Sequence, residues 1–186
     1  MSTTIINLYG GPGTGKSTSA ALLFYMLKSQ GENSELVREY VKDWAWEGRK
    51  ISVYDQLYFL GKQVRRESLL YGKVDYVVTD APIMLGVYYA QQYTPVSVSE
   101  AVRTATLAFY RQAAEDGHRH VHVFLERSKA YNPSGRFQTE LEARSIDDRL
   151  VGLLGELRIP FVRCGTEEED LRKMLNDLRY DKKKEG

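Results

Sequence analysis

The sequence predicts an α/β protein with three layers, in which a five-stranded parallel sheet lies between helices and a small lid loop is attached. Two observations predict this class. Short β-branched apolar segments alternate with longer segments whose apolar residues recur at helical spacing, and a glycine-rich turn joins the first strand to the first helix. A chain of 186 residues is long enough to bury one core without disulfides. We expect residues 1–180 to form one domain and the charged residues 181–186 to form a disordered tail.

The elements follow from apolar patterning and from signals at their ends. In chain order they are a strand at 4–9, a helix at 16–30, a strand at 35–40, a helix at 52–70, a strand at 74–79, helices at 84–91 and 98–116, a strand at 120–125, a helix from about 139, a strand at 160–164 and a helix from about 166. Gly31 suits the left-handed position that follows a helix. Ser52 with Asp55, and Ser97 with Glu100, have the spacing of capping boxes.

Strands that alternate with helices pair in parallel through right-handed crossovers, so their carboxyl ends meet at one edge of the sheet. Ligands of such sheets bind beyond that edge. The residues at the strand ends are Gly10, Glu39, Asp80, Glu126 and Cys164. We expect them to face one crevice.

Charge and cysteine content narrow the class of protein. The formal net charge is +1, so no whole-molecule field requires nucleic acid or an anionic membrane as a partner. The one cysteine, Cys164, rules out an internal disulfide and fits a reducing cytosol. No apolar run has the length of a membrane span or the form of a secretory signal. We therefore expect a cytoplasmic protein with no membrane partner.

The turn after the first strand fits the pattern G-x-x-x-x-G-K-[ST] at every fixed position. Its residues are Gly10, Gly11, Pro12, Gly13, Thr14, Gly15, Lys16, Ser17 and Thr18. The glycines let backbone N–H groups face a phosphate chain, and the helix behind them adds the positive end of its dipole. Lys16 is placed for the β- and γ-phosphates, and Ser17 for Mg²⁺. The pattern predicts a nucleoside triphosphate site in a P-loop NTPase fold; a glycine-rich turn that binds nothing is the alternative.

Asp80 ends the most strand-like segment of the chain. An aspartate at this place in a P-loop protein supplies the second group on the Mg²⁺ side, and a turn aspartate before Ala81-Pro82 is the alternative. Ala81 is not a carboxylate, so no adjacent acid activates water. This favours transfer to a bound acceptor over a motor-type ATPase.

Glu39 follows the second strand, where a carboxylate is placed to accept the proton of an attacking hydroxyl. The alternative is an exposed glutamate paired with Arg38 or Lys42.

The polar, glycine- and proline-bearing segment 126–138 has the composition of a loop that closes over phosphates. Arg136 within it is our candidate for a phosphate-binding arginine, and Arg127 and Arg144 flank it. A planar guanidinium binds phosphate oxygens in a bidentate manner. We assign Arg136 and Arg127 to catalysis.

Two other groups carry weaker signals. His118, His120 and His122 alternate on a strand without a nearby carboxylate or cysteine, which favours ordinary strand histidines over a metal site. Trp44 and Trp46 are placed either to stack on a base or to cover the core.

Four segments, GGPGTGKST, ELVREYVKDWAWEGR, VVTDAPI and YNPSGRFQTE, together resemble the small phage-type P-loop kinases, and among them the 5-hydroxymethyluracil DNA kinases. The resemblance implies that Glu39 is the catalytic base and Arg136 the lid arginine. Related deoxynucleoside kinases have an arginine after the acid of the third strand, and Ala81-Pro82 replaces it here. No guanine-selecting NKxD sequence is present, which favours ATP.

The first hypothesis is therefore an ATP- and Mg²⁺-dependent kinase acting on 5-hydroxymethyluracil in phage DNA, in the host cytoplasm. A local basic patch would hold the DNA despite the low net charge. Its residues are Lys42, Arg49, Lys50, Lys62, Arg65 and Arg66. The second is a nucleoside or nucleoside-monophosphate kinase acting on free nucleotides, and the third is a regulatory P-loop ATPase. The oligomeric state is not assigned.

Overall fold

The computed structural model describes residues 1–127 and 139–185, and it contains the elements that the patterning predicts. The strands are β1 Thr4–Tyr9, β2 Ser34–Val37, β3 Tyr76–Thr79, β4 Arg119–Leu125 and β5 Val162–Cys164. The helices are α1 Lys16–Ser29, α2 Val41–Trp46, a 3-10 turn Val53–Asp55, α3 Gln56–Ser68, α4 Ile83–Tyr93, α5 Val96–Glu115, α6 Glu140–Glu156 and α7 Glu168–Glu185.

The strands form one five-stranded sheet in the order β2-β3-β1-β4-β5. Every pairing is parallel, with Ile5 of β1 aligned to Val77 of β3 on one side and to His120 of β4 on the other. All residues of β1 are buried, because this strand lies in the middle of the sheet with helices on both sides. The predicted fold class is confirmed.

Alternate β1 side chains reach different layers. Ile6 and Leu8 pack with α1 and α7, where Leu27 and Leu171 belong to the same buried cluster. Tyr9 points to the other side and packs in the cluster that α3, α4, α5 and α6 contribute. The two clusters place the sheet between two helical layers and hold the carboxyl end of β1 in a fixed position.

Helix ends agree with the sequence signals at some positions and differ at others. The capping box of Ser52 and Asp55 is present, and Thr139 with Glu142 forms a second one at the start of α6. The predicted box of Ser97 and Glu100 is wrong, because α5 begins at Val96 directly after Pro95. Proline has a φ suited to starting a helix, so it sets the first turn before Ser97 is reached.

The chain departs from the expected bounds at two further places. β2 ends at Val37, and the Tyr40 amide donates to the Gln63 side chain at 3.0 Å instead of continuing the sheet. α7 continues to Glu185, so the backbone of residues 181–185 is helical where we expected a disordered tail. Within residues 1–127 and 139–185, no helix is both long enough and apolar enough to cross a bilayer.

A buried polar cluster lies on the side of β1 and β4 that faces α3 and α5. Tyr9 Oη lies 2.8 Å from His122 Nδ1, and Tyr71 Oη donates to Glu67 Oε1 at 2.6 Å and lies 3.2 Å from His120 Nε2. The expectation that no carboxylate lies near the histidines is wrong, since Glu67 Oε1 is 3.8 Å from His120 Nε2. Among the described residues no group of metal ligands is found.

Burial shifts the pKa of each acid and base in this cluster toward the neutral form. It raises the pKa of Glu67, which is 1% exposed, to about 7. It lowers the pKa of His120 to about 3 and that of His122 to about 4. The cluster is therefore a network of neutral groups between about pH 4 and pH 7, and Glu67 is the member that becomes charged as the pH rises further.

Replacing Glu67 with glutamine should change how stability depends on pH. The unfolded carboxyl releases its proton near 4.5 and the folded one near 7, so the stability contributed by Glu67 falls as the pH rises through that window. Glutamine stays neutral. The stability of Glu67→Gln relative to wild type should therefore rise by on the order of 1–3 kcal/mol between about pH 5 and pH 8. The histidine shifts act in the opposite direction in both proteins and cancel in the difference.

Urea unfolding at the two pH values measures this difference. Glu115→Gln, which changes an exposed glutamate of α5, is the matched control and should give the same difference at both pH values. If the stability difference between Glu67→Gln and wild type is also the same at both pH values, the raised pKa assigned to Glu67 is wrong.

Candidate active site

The loop between β1 and α1 has the backbone conformation that its glycines allow. Gly13 and Gly15 have φ values of 82° and 92°. A Cβ on Gly10 would lie 2.6 Å from Thr14 Oγ1, so only glycine fits there. Gly15 precedes α1, and the first amides of that helix have no partners within the helix. The loop and the helix start together form a concave surface of N–H donors suited to an anion.

Lys16 lies over this loop with its ammonium group buried. Its Nζ donates to the carbonyl oxygens of Gly10 at 2.6 Å and Gly11 at 3.2 Å. Burial lowers the pKa of Lys16, and the nearby charges of Glu39, Asp80 and Asp147 oppose that shift. The cation is therefore held among carboxylates next to the amide surface.

Ser17 and Asp80 meet as the sequence predicts. Ser17 Oγ donates to Asp80 Oδ2 at 2.6 Å, and Asp80 is 8% exposed. Asp80 Oδ1 is buried, and no described residue forms a hydrogen bond with it. A hydroxyl and a carboxylate with a spare oxygen are the ligand types that Mg²⁺ uses in proteins, so these two residues fit a magnesium ion.

Arg127 and Asp147 form an ion pair beside the loop. The sequence pointed to Arg127 but not to Asp147. Arg127 Nε donates to Asp147 Oδ2 at 2.5 Å, and Asp147 Oδ1 accepts from the Gly11 amide at 2.5 Å. Arg127 Nη2 also donates to the Ala143 carbonyl at 3.2 Å. Arg127 thus lies beside the loop as expected, but its guanidinium is bonded to α6. Asp147 was not a candidate, because nothing in its local sequence distinguishes it from other acids of a helix.

Glu39 lies just beyond β2 and faces the same region. Burial raises the pKa of Glu39, the charge of Asp80 adds to the increase, and Lys16 and Lys42 oppose it. The structure therefore brings Glu39, Asp80 and Lys16 together at the carboxyl edge of the sheet. Arg136 lies outside the described residues.

Two strand-end residues are not part of this group. Glu126 is exposed and pairs with Arg163 at 3.3 Å. Cys164 is buried in the core beside α7, and burial raises the pKa of its thiol to about 11. They follow or end β4 and β5, which lie on the far side of β1 from Glu39 and Asp80.

A cavity of about 860 Å³ opens next to the loop, between the chain around α3 and helix α4. Glu39 and Pro12 are among its lining residues, and Phe59, Tyr89 and Tyr93 contribute aromatic rings. Sequence reasoning did not predict this cavity, because its walls come from segments far apart in the chain.

The tryptophans do not line the cavity. Trp44 packs edge-on against Phe59, with ring centroids 4.8 Å apart, and the Arg49 guanidinium lies 5.1 Å from the Trp44 ring. Trp46 is 81% exposed. Trp44 therefore supports a cavity wall from behind, while Trp46 lies on the surface.

The comparisons with known proteins agree with this fold. The protein-family model described as AAA domain matches residues 5–170. No curated protein matches the sequence. The APS kinase CysC of Mycobacterium tuberculosis, in complex with AMPPNP and APS, is similar at 14% identity with a TM-score of 0.54, and the match covers 96% of this chain and 98% of that one.

Two crystal structures of NadR protein are also similar. The complex with NR has a TM-score of 0.66 at 17% identity, and the complex with NAD and AMP-PNP has a TM-score of 0.64 at 16% identity. Each match covers 87% of this chain but only 45% and 44% of the NadR chains, so this chain spans about half of their length. At these identities the likeness shows a shared fold.

Proposed function

Because the chain belongs to the AAA domain family and has a P-loop NTPase fold, we propose that it is an ATP- and Mg²⁺-dependent kinase that transfers the γ-phosphoryl group to a hydroxyl. The observation that carries the proposal is the hydrogen bond between Ser17 and Asp80 beside the buried ammonium group of Lys16. These residues combine a cation, a carboxylate and a loop of amides at the point where a triphosphate would lie. ATP analogues bound in the similar APS kinase and NadR structures support the choice of nucleotide.

The surroundings of Asp80 support transfer to an acceptor rather than hydrolysis. Ala81 follows Asp80 and contributes no second carboxylate. The cavity beside the loop is large enough for an acceptor, and both Glu39 and Pro12 of the loop line it. A hydroxyl bound there would lie between Glu39 and the nucleotide site.

Each residue has a defined part in the proposed reaction. The amides of the loop and the Lys16 ammonium bind the β- and γ-phosphate oxygens and hold the terminal phosphorus toward the cavity. Ser17 and Asp80 would hold a Mg²⁺ ion, which when bound would neutralise part of the charge on those oxygens. Glu39 accepts the proton of the acceptor hydroxyl, and its raised pKa suits that role. Arg127 holds the loop through Asp147, and we assign Arg136 to the phosphates when the site is closed.

For the acceptor we propose 5-hydroxymethyluracil in phage DNA, modified in the host cytoplasm as a step toward hypermodified thymidine. The base would leave the helix stack to enter the cavity. Exposed aromatic residues and cations near the cavity support a surface for the flanking strand: Tyr54 is 93% exposed, and the Lys62 ammonium lies 5.3 Å from the Tyr58 ring.

Incubation with radiolabelled ATP and an oligonucleotide that contains 5-hydroxymethyluracil tests this acceptor. Label should appear in the oligonucleotide, and an unmodified thymine oligonucleotide of the same sequence should stay unlabelled. Label on free nucleosides or nucleotides alone would identify the second candidate, a kinase of free nucleotides, whose acceptor the cavity could also hold. Release of phosphate without an acceptor would identify a regulatory ATPase.

Replacing Glu39 with glutamine should lower kcat by about 100-fold while the affinity for ATP stays within about threefold of wild type. Glutamine keeps the size of the side chain and loses the capacity to accept a proton. Steady-state kinetics and calorimetry with a non-hydrolysable ATP analogue measure the two quantities. Glu35→Gln, an exposed glutamate of β2 paired with Lys28, is the control and should keep wild-type kinetics. A wild-type kcat in Glu39→Gln would assign the base elsewhere.

A further inference from the structure

The lining of the cavity beside Glu39 is aromatic and aliphatic, and it has very little charge. Among the described residues that line it, Glu39 is the one carboxylic acid, and none is lysine, arginine or histidine. The apolar part of the lining includes Phe59, Leu85 and Ile83. A group enclosed there is thus surrounded mainly by hydrocarbon and aromatic rings.

Two tyrosines of α4 contribute aromatic rings to the cavity lining. The rings of Tyr89 and Tyr93 are stacked on each other and nearly parallel, with an angle of 13° and centroids 6.4 Å apart. Tyr93 is 70% exposed and Tyr89 is partly buried, so the Tyr93 ring is accessible from solvent. Phe59 contributes a further ring from α3. Aromatic side chains in a cavity lining suit a planar heterocycle, since aromatic rings stack with offset faces.

The polar groups of the lining are few and partly engaged. Gln63 accepts from the Tyr40 amide at 3.0 Å through Oε1 and approaches the Arg38 carbonyl at 3.5 Å through Nε2. Glu39 lies among charges of both signs: Lys16 and Lys42 lower its pKa, and Asp80 raises it. An anionic group placed inside the cavity would share it with the Glu39 carboxylate and would meet no lysine, arginine or histidine among the described lining residues. Burying such an uncompensated charge is strongly unfavourable.

Resting on the kinase function proposed above, we propose that this cavity binds the uncharged planar ring of the acceptor, with its hydroxyl toward Glu39, and that every phosphate of the acceptor stays outside. The cavity would therefore recognise a nucleoside, or a single unstacked base of a DNA strand. A phosphate on the acceptor contributes little to binding in this arrangement. In a site that is built to hold a nucleoside monophosphate, the phosphate would instead be bound by cations and would contribute much of the affinity.

The test compares a nucleoside with its own phosphate ester. The probes are 5-hydroxymethyl-2′-deoxyuridine and its 5′-monophosphate, each titrated by calorimetry into the full chain that has been saturated with a non-hydrolysable ATP analogue and Mg²⁺. We expect the nucleoside to bind and the phosphate to improve its affinity by less than tenfold. An improvement of tenfold or more, or no binding of the nucleoside, overturns the proposal.

A pair of variants links the binding to this cavity. Tyr93→Ala should weaken the nucleoside by about tenfold, since it removes an aromatic face that is accessible to a ligand. Tyr25→Ala, which removes an exposed tyrosine of α1 outside the cavity, should leave the affinity unchanged. Equal affinities in Tyr93→Ala and wild type would place the ring elsewhere.

The same preparation separates failure of this proposal from failure of the kinase proposal. Calorimetry with the ATP analogue alone reports on the nucleotide site, which is independent of the acceptor. Suppose that the analogue binds and that the 5′-phosphate improves the affinity for the nucleoside by tenfold or more. The kinase proposal then stands, and the proposal that the cavity binds only the uncharged ring is wrong. If the analogue does not bind, the kinase proposal itself is wrong.

Discussion

Replacing Lys16 with alanine is expected to lower kcat/KM by about 100-fold to 1000-fold, the range found when one donor to a developing charge is removed. The Lys16 ammonium is buried beside the amide loop and is surrounded by Glu39, Asp80 and Asp147. Its removal takes one positive charge away from these carboxylates at the place where the triphosphate adds further negative charge. Both ATP binding and transfer should therefore suffer. Phosphoryl transfer assays and calorimetry with the ATP analogue measure the two effects.

Lys28→Ala is the matched control for this change. Lys28 lies in the last turn of the same helix, whereas the loop lies before its first turn. Its side chain is about half exposed and pairs with Glu35 at 3.7 Å. We therefore expect Lys28→Ala to keep wild-type kinetics. Thermal unfolding of both variants shows whether the fold is retained, because Lys16 also donates to two loop carbonyls. A folded Lys16→Ala protein with wild-type kcat/KM would rule out the proposed nucleotide site.

Replacing Asp80 with asparagine is expected to lower the Mg²⁺-dependent rate by about 100-fold or more, while metal-free binding of the ATP analogue changes little. Asparagine keeps the size of the side chain and a carbonyl oxygen that can accept from Ser17, but it has no negative charge. The Oδ1 atom of Asp80, which no described residue bonds, is the position where the charge matters most. Turnover measured over a range of Mg²⁺ concentrations should show a higher requirement for the ion.

Asp75 provides the control at the opposite end of the same strand. It immediately precedes β3, whereas Asp80 immediately follows it, so Asp75→Asn makes the same chemical change far from the loop. We expect wild-type turnover in that variant. If the Mg²⁺ dependence of Asp80→Asn coincides with that of wild type, the carboxylate has no part in holding the ion.

Local patterning predicts the parts of the fold that depend on local physics. The predicted bounds of β1 agree with the observed ones, because a central strand that is buried on both faces is mostly apolar and stops where glycines begin. The Ser17 and Asp80 contact was predictable as well, since parallel strands bring their carboxyl ends to one edge. Errors occurred where a neighbour decides the outcome: Pro95 sets the start of α5, and Gln63 binds the chain after β2.

The parts of the site that sequence did not reveal all depend on distant contacts. Asp147 becomes important only because α6 lies against Gly11, and Glu67 because α3 packs against β4. The aromatic wall of the cavity combines Phe59 of α3 with Tyr89 and Tyr93 of α4, and no spacing within one segment signals it. Such features follow from packing of whole elements rather than from periodicity.

The contact between the Gly11 amide and Asp147 joins residues that are 136 positions apart. A ribosome releases the glycine-rich motif before the carboxylate that bonds to it, since the residues between them must be made first. In a chain that has been synthesised only as far as the motif, the motif is thus present without Asp147. Emergence of α6, rather than appearance of the motif, sets the moment at which the glycine-rich loop can form this contact.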